Sequence, residues 1–307
     1  MNAIEAMQAE IEYQVQDLRK LDFPSLVKHC LFVGSGDSYV AALAAQYFSG
    51  SHSLCYYPVD VIKNPLLVKG RNLFIVSISG NTRANILAAE IARKHTVNST
   101  TALTARPSSR LAKVCDQTIL LKYRSAGVIA AGTISFTISM IKCISLVTKL
   151  LLPVDIAKIY NQSEEQAKQV IHKVDKKSES YIILGNGLLY PIAMYGALKF
   201  NEVFGARAVA YPSEEFCHAP VFSIKDNDQA IVMGDDNNTS KLSKRLNQEG
   251  FSSVHISFKS RGIELLLQST FFMQLLVLKL AQEYGLTNCY FLKNKKLLRL
   301  SSDFIYG

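Results

Sequence analysis

A strand, a glycine turn and a helix follow one another twice in each half of this chain, and that repeat constrains the fold more than any other feature. "CLFVGSGDSYVAALAAQYF" (30–48) and "NLFIVSISGNTRANILAAEIARKH" (72–95) each run from an apolar stretch through a polar turn into a helical pattern. "TTALTA" and "CDQTILL" read as the next strands, and an apolar helix is expected near 129–152. Beyond Pro153 the charged segment "AKIYNQSEEQAKQVIHKVDKK" reads as a bridging helix. The pattern then restarts with "SYIILGNGLLYPIAMYGALKFNEVFG". "RAVAYP", "QAIVMGDDNN" and "SSVHISF" supply later strands, and "TSKLSKRLNQEG" a helix between them. Strands alternating with helices imply parallel sheets covered on both faces. The expected architecture is α/β, two tandem doubly wound domains, with ligand sites at the carboxyl ends of the strands. The boundaries read as 1–152 for an N-terminal helix plus the first domain, 153–177 for a helical linker, and 178–307 for the second domain and its tail.

Length and composition agree with two globular domains: 307 residues, 49% hydrophobic and 19% charged. The formal charge of +9 is scattered, the one dense cluster being Lys293, Lys295, Lys296 and Arg299. Without a helix-turn-helix, zinc-finger or aromatic and basic RNA-binding motif, a small anionic substrate accounts for this charge and nucleic acid is not expected. Six cysteines (30, 55, 115, 143, 217, 289) lack paired spacing, and no secretory leader pattern precedes them, so reduced thiols in a cytoplasmic protein are expected. Lys142 and Lys149 interrupt one long apolar run, and Glu264 and Lys279 the other. Both read as buried helices rather than membrane spans.

Two turns of the first half carry chemistry. In "SISGNT" (77–82) Ser77, Ser79 and Thr82 surround Gly80 where a strand hands over to a helix. Backbone N–H groups at a helix start, together with hydroxyls, suit a phosphate; an ordinary N-cap needs only one hydroxyl. "GSGDS" (34–38) follows a neighbouring strand and offers Ser38 to the same group, but it lacks a dinucleotide fingerprint. The corresponding turn of the second half, "GDDNN", presents two aspartates that would repel a phosphate.

The second half offers "ALKFNE" instead, with Lys199 and Glu202 three apart on one helix face. Pattern alone favours an exposed ion pair worth a few tenths of a kcal/mol. An acid and base over a substrate is the alternative. Downstream, "EEFCHAP" sets Glu214, Glu215 and His218 in a turn-like stretch, where an extended chain would point Cys217 and His218 apart. No histidines fall at metal-ligand spacing, so neither a metal nor a cofactor is expected.

Taken together these residues resemble the sugar isomerase (SIS) family, in particular the isomerase part of the glutamine:fructose-6-phosphate amidotransferases. "MQAEIEYQ" is similar to that family's M-x-x-E-I-x-x-Q helix, "GSGDSY" to C-G-T-S-Y, and "SISGNT" to S-Q-S-G-E-T. "LYPIAMYGALKFNE" is similar to Q-Y-P-I-A-L-E-G-A-L-K-L-K-E, and "EEFCHAP" to G-E-L-K-H-G-P. The resemblance implies flavodoxin-like SIS domains in which Ser38, Ser77, Ser79 and Thr82 hold a sugar phosphate. It makes Glu202 the base that moves a proton between C1 and C2, with Lys199 beside it and His218 assisting ring opening from a neighbouring subunit, hence a homodimer. Gly36, Ile78, Thr133 and Lys296 follow as candidate substrate contacts, with Arg299 competing for the role of the tail lysine.

Departures from the family pattern narrow the expected reaction. No glutaminase segment with its cysteine nucleophile lies in the 307 residues, so glutamine is not the expected nitrogen source. The family's E-I-G-V-A-S-T-K-A-F-T becomes "GVIAAGTISFT" (127–137), which keeps Thr133 and loses the acidic residue, a serine and the lysine. The expectation is a phosphosugar aldose–ketose isomerase or deaminase, foremost glucosamine 6-phosphate to fructose 6-phosphate and ammonia. A fructosamine-6-phosphate deglycase, a simple sugar-phosphate isomerase and a non-catalytic sugar-phosphate sensor are the alternatives.

Overall fold

The computed structural model describes residues 1–152, 155–175 and 178–307; Pro153, where the linker was expected to begin, and Lys176 and Lys177 at its end lie outside them. From the N-terminus the elements are α1 (Ala3–Asp17), β1 (Cys30–Val33), α2 (Asp37–Phe48), β2 (Leu54–Tyr56), α3 (Pro58–Lys63), β3 (Asn72–Val76), α4 (Arg83–Arg93) and β4 (Ser99–Thr104). There follow α5 (Arg110–Val114), β5 (Gln117–Leu120), α6 (Ile134–Val147), α7 (Ile156–Ile171), β6 (Ser180–Gly185), α8 (Leu189–Phe204) and β7 (Arg207–Tyr211). The chain ends with α9 (Ser213–His218), β8 (Asp228–Met233), α10 (Asn237–Gln248), β9 (Ser252–Ile256), α11 (Gly262–Glu283), α12 (Tyr290–Lys293) and α13 (Lys295–Tyr306).

All strand pairs are parallel, in one sheet ordered β2-β1-β3-β4-β5 and another ordered β7-β6-β8-β9. Both orders begin 2-1-3-4 within their own sheet, so each has its topological switch point between the first and third strands, β1/β3 and β6/β8. The apolar runs explain the parallel pairing: β1 and β8 are buried at every position and β3 at four of five, as strands sandwiched between helices must be.

The structure separates into two compact units that are not consecutive in sequence. One comprises Lys20–Arg124, Ile134–Leu151 and Asn294–Gly307. Its core joins Leu31, Val33, Leu73 and Ile75 of the sheet to Ile86, Ala89 and Ala92 of α4. The other comprises Met1–Arg19, Ser125–Thr133 and Leu152–Lys293, with Ile182, Leu184, Ala230, Val232, Phe216 and Leu246 in a core cluster. In this unit α11 packs against α7 and α8. By length and composition α11 could cross a membrane, yet 72% of its most apolar window is buried within the structure.

Several elements differ from the sequence reading. The apolar helix expected over 129–152 spans only Ile134–Val147, because 125–133 is held in an irregular path by side chains from α1. The stretch before Pro220 is a helix, α9, instead of an extended turn. Strand β2 is too short to show a period, and the tail helix α13, whose Leu297, Leu300 and Phe304 recur at helical spacing, was read only for its basic residues.

Candidate functional site

The turn after β3 is built to be rigid. Gly80 sits at φ 61°, in the left-handed region, and an added Cβ would lie 2.2 Å from Ser109 Oγ, so no other residue fits without displacement. Ser109 caps α5 by accepting from the Ala112 N–H, and the first turn of α5 grips the loop: the Leu111 N–H donates to the Gly80 carbonyl at 2.9 Å and the Arg110 N–H to Asn81 Oδ1 at 3.3 Å. Thr104 Oγ1 donates to the Ile78 carbonyl at 3.1 Å.

Within this frame the hydroxyls keep donor capacity. Ser77 Oγ accepts the Gly80 N–H at 3.2 Å and Ser79 Oγ the Asn81 N–H at 3.3 Å, which leaves each O–H able to donate to an anion. Thr82 occupies the N-cap position of α4 but makes no side-chain cap bond. An ordinary cap is therefore the weaker description of this threonine. The neighbouring turn after β1 carries Gly36 and Ser38 at the start of α2. Since β1 and β3 are adjacent, Gly36, Ser38, Ser77, Ile78, Ser79 and Thr82 share the carboxyl edge at the switch point, the position where doubly wound sheets bind ligands. Lys296 and Arg299 belong to the same unit on α13, which lies against α4; both side chains are exposed.

The equivalent turn in the other sheet, after β8, is filled from within. Asp236 caps α10, accepting the Asn238 N–H at 2.8 Å and the Thr239 N–H at 2.9 Å. The Thr239 N–H foremost, then that of Asn238, holds the Asp236 carboxyl below its ordinary range against a smaller desolvation cost. The repulsion expected from "GDDNN" thus has a structural form: a resident carboxylate occupies the place an anion would take.

Lys199 and Glu202 lie in the last two turns of α8, which ends at Gly205 in the left-handed conformation. Lys199 donates to Glu202 Oε2, and its side chain is 1% exposed while that of Glu202 is 36% exposed. That asymmetry sets aside the surface ion pair favoured by pattern alone. Its cause is the position of Lys199 on the buried face of α8, with the ammonium 5.2 Å from the ring centroid of the fully buried Tyr195. Removing one partner of a buried pair leaves an uncompensated charge that costs about 3–5 kcal/mol when both groups are buried, and less here because Glu202 is half open.

The pair is not at the carboxyl edge where sequence reasoning put ligand sites. Since α8 returns along the sheet to feed β7, its last turns lie toward the amino edge. His218 is exposed at the end of α9, beyond the carboxyl end of β7. Within this unit a strand length, about 17 Å for five residues, separates the two positions. No described hydrogen bond or ion pair joins His218 to Lys199 or Glu202. Cys217 is held by α9 with its Sγ donating to the Ser213 carbonyl at 3.4 Å, and burial is the first cause of its raised thiol pKa.

Thr133 ends the irregular segment and donates to Glu10 Oε2 at 3.4 Å. Sequence reasoning assigned no role to Glu10, Gln14, Tyr195, Gln274 or Cys289, all buried around this segment. The available signal was polar Glu10 and Gln14 on the same helical face as apolar Met7 and Ile11.

No protein-family model matches the chain. Among curated proteins, the glutamine–fructose-6-phosphate aminotransferase [isomerizing] of Francisella tularensis is 27% identical over 254 residues, 73% of this chain and 40% of that protein. The chain spans between 37% and 43% of the length of such relatives. Two solved structures share the fold. The C-terminal domain of the F. tularensis glucosamine-fructose-6-phosphate aminotransferase superposes with a TM-score of 0.69 at 23% identity, covering 94% of this chain and 95% of that one. Glucosamine-6-phosphate deaminase of Thermotoga maritima superposes with a TM-score of 0.72 at 21% identity, covering 93% of each chain. These comparisons and the two parallel sheets agree with the sugar isomerase (SIS) class that the motifs resemble. Within it, the sequence relatives are the isomerase parts of the aminotransferases, as the motifs indicated.

Proposed function

We propose that the protein is a cytoplasmic phosphosugar enzyme of two tandem SIS domains, and that its reaction converts glucosamine 6-phosphate and water to fructose 6-phosphate and ammonia. The observation that carries the reading is a buried lysine bonded to a half-open carboxylate: a fixed cation holding an accessible base. In this reading Ser38, Ser77, Ser79 and Thr82 bind the phosphate and anchor the sugar away from its reacting carbons. Glu202 takes the proton from C2 of the opened aldose and returns it to C1, which leaves an imine at C2. Water adds to C2, the C–N bond breaks with its electron pair on nitrogen, and ammonia leaves the ketose. Lys199 stabilises the negative charge that develops during proton transfer.

His218 assists ring opening and comes from the partner in a homodimer; its separation from Glu202 within one unit supports that origin. Gly36, Ile78, Thr133 and Lys296 are the proposed further contacts. The altered 127–137 segment makes the nitrogen-bearing end of the substrate the point of difference from the aminotransferases. A substrate panel of glucosamine 6-phosphate, fructosamine 6-phosphate and unsubstituted hexose phosphates reads it directly.

The test is ammonia and fructose 6-phosphate release from glucosamine 6-phosphate. Glu202→Gln is expected to lower kcat by about 10²- to 10⁴-fold with KM little changed. Full turnover by this variant sinks the assignment of the base. Stabilisation by sugar phosphates with no turnover of any panel member makes the protein a sensor instead.

A further inference from the structure

Three buried residues of α1 have no role in the reading above. Met7, Glu10 and Gln14 are spaced i, i+3, i+7 and so share one face of the helix. Each meets a different wall around the Lys199–Glu202 pair. Glu10 Oε1 accepts the Ala126 N–H at 3.1 Å and the Ser125 hydroxyl at 3.3 Å, while its Oε2 accepts the Thr133 hydroxyl. Gln14 Nε2 donates to Gln274 Oε1 at 2.8 Å, and Gln274 Nε2 donates to the Thr133 carbonyl at 3.2 Å. Met7 Sδ lies 3.8 Å from the Sγ of Cys289, a thiol bonded by the backbone of Ala131 and near enough to Glu202 and Lys199 to feel both charges. Finally, the Tyr195 hydroxyl donates to the Gly132 carbonyl at 2.8 Å, and the Tyr195 ring is the one beside the Lys199 ammonium.

These bonds form one connected network of α1, segment 125–133, α8 and α11. Apart from the exposed Ser125 its polar side chains are buried, and buried polar networks are costly unless satisfied; among the described residues of this one, Gln14 Oε1 alone lacks a partner. The described donors to Glu10 are neutral groups, so its two oxygens act as a geometric clamp on 125–133.

We infer that the Met7–Glu10–Gln14 face of α1 is a positioning element for the Lys199–Glu202 pair: it sets segment 125–133, which through the Gly132 carbonyl fixes Tyr195 and with it the seat of the lysine. This rests on reading that pair as the proton-transfer machinery. The network positions it and does not touch the reacting atoms.

Two variants test it. Glu10→Ala removes both acceptor oxygens of the clamp, and Tyr195→Phe removes the hydroxyl that bonds Gly132 while keeping the ring. Glu12→Gln, on the exposed face of α1, is the control. Trace acetylation of Lys199, read by mass spectrometry, needs no substrate and is expected to change several-fold in both variants and not in the control. With glucosamine 6-phosphate, kcat is expected to fall by about 10- to 100-fold with KM unchanged, the signature of misplacement and not of lost binding. Accelerated exchange of the Ala126 amide in Glu10→Ala shows that the clamp has been released in a folded protein. Released clamps with Lys199 labelling and kcat both at the wild-type level overturn the inference. If the wild type turns over no phosphosugar but Lys199 labelling still responds, the proposed reaction fails and the positioning stands. If turnover is present and labelling does not respond, the positioning alone fails.

Discussion

The turns after β3 and after β8 occupy equivalent places in their two sheets, yet they treat the same physical opportunity in opposite ways. Each is a helix N-terminus at a topological switch point, with N–H groups and the positive end of a helix dipole. After β8 the Asp236 carboxylate satisfies α10 from within, so the site is closed to anions by its own charge. After β3, Thr82 makes no cap bond, Ser77 and Ser79 retain donors, and Gly80 and Ser109 hold the loop in place. One copy of the pattern is capped from within; the other leaves its cap position and hydroxyl donors open.

The contrast is broken most severely at Gly80. Gly80→Ala places a Cβ against Ser109 at a positive φ, and we expect it to cost about 1–3 kcal/mol in chemical denaturation and to remove protection by sugar phosphate. Wild-type stability would mean that the loop is not fixed as described. Thr82→Asp exports the Asp236 solution to the other sheet. A resident carboxylate there should leave folding intact but weaken stabilisation by sugar phosphate at least about tenfold, roughly 1.4 kcal/mol, as read by thermal shift against ligand concentration. Retained affinity would show that the anion does not use this helix start.

The smallest effect is expected at Asp236 itself. Asp236→Ala should destabilise by about 1 kcal/mol at neutral pH, the usual worth of an N-cap. Because the folded carboxyl lies below the ordinary 3.8, this contribution is complete above that value and fades as pH falls through the lowered one. Urea midpoints of wild type and variant should therefore converge in strong acid; a constant gap would assign the loss to packing instead.

How much of this was legible depends on the range of the interaction involved. Both parallel sheets, the handover from β3 to α4 through Gly80 and the end of α8 at Gly205 follow from patterns local in sequence, and these were read. Strand β2 is three residues long and carries too little local signal, whereas α13, with Leu297, Leu300 and Phe304 at helical spacing, was passed over because its tail was read for basic residues alone. The burial of Lys199 was misread, because spacing reports which residues share a helix face and not which face meets the core. The Glu10 clamp joins residues more than a hundred positions apart, and Gln14 to Gln274 spans 260. No window along the chain contains such a pair.

By itself, then, the sequence determined the strand, turn and helix repeat and the chemistry of its turns, since backbone preferences and hydroxyl or carboxylate character act locally. Only the tertiary structure decided which ends those groups serve: a threonine left without a cap bond, an aspartate spent on one, and a lysine buried beneath a half-open glutamate. The physical reason is that desolvation and long-range hydrogen bonding, which set the worth of a charge, exist only once distant segments have come together.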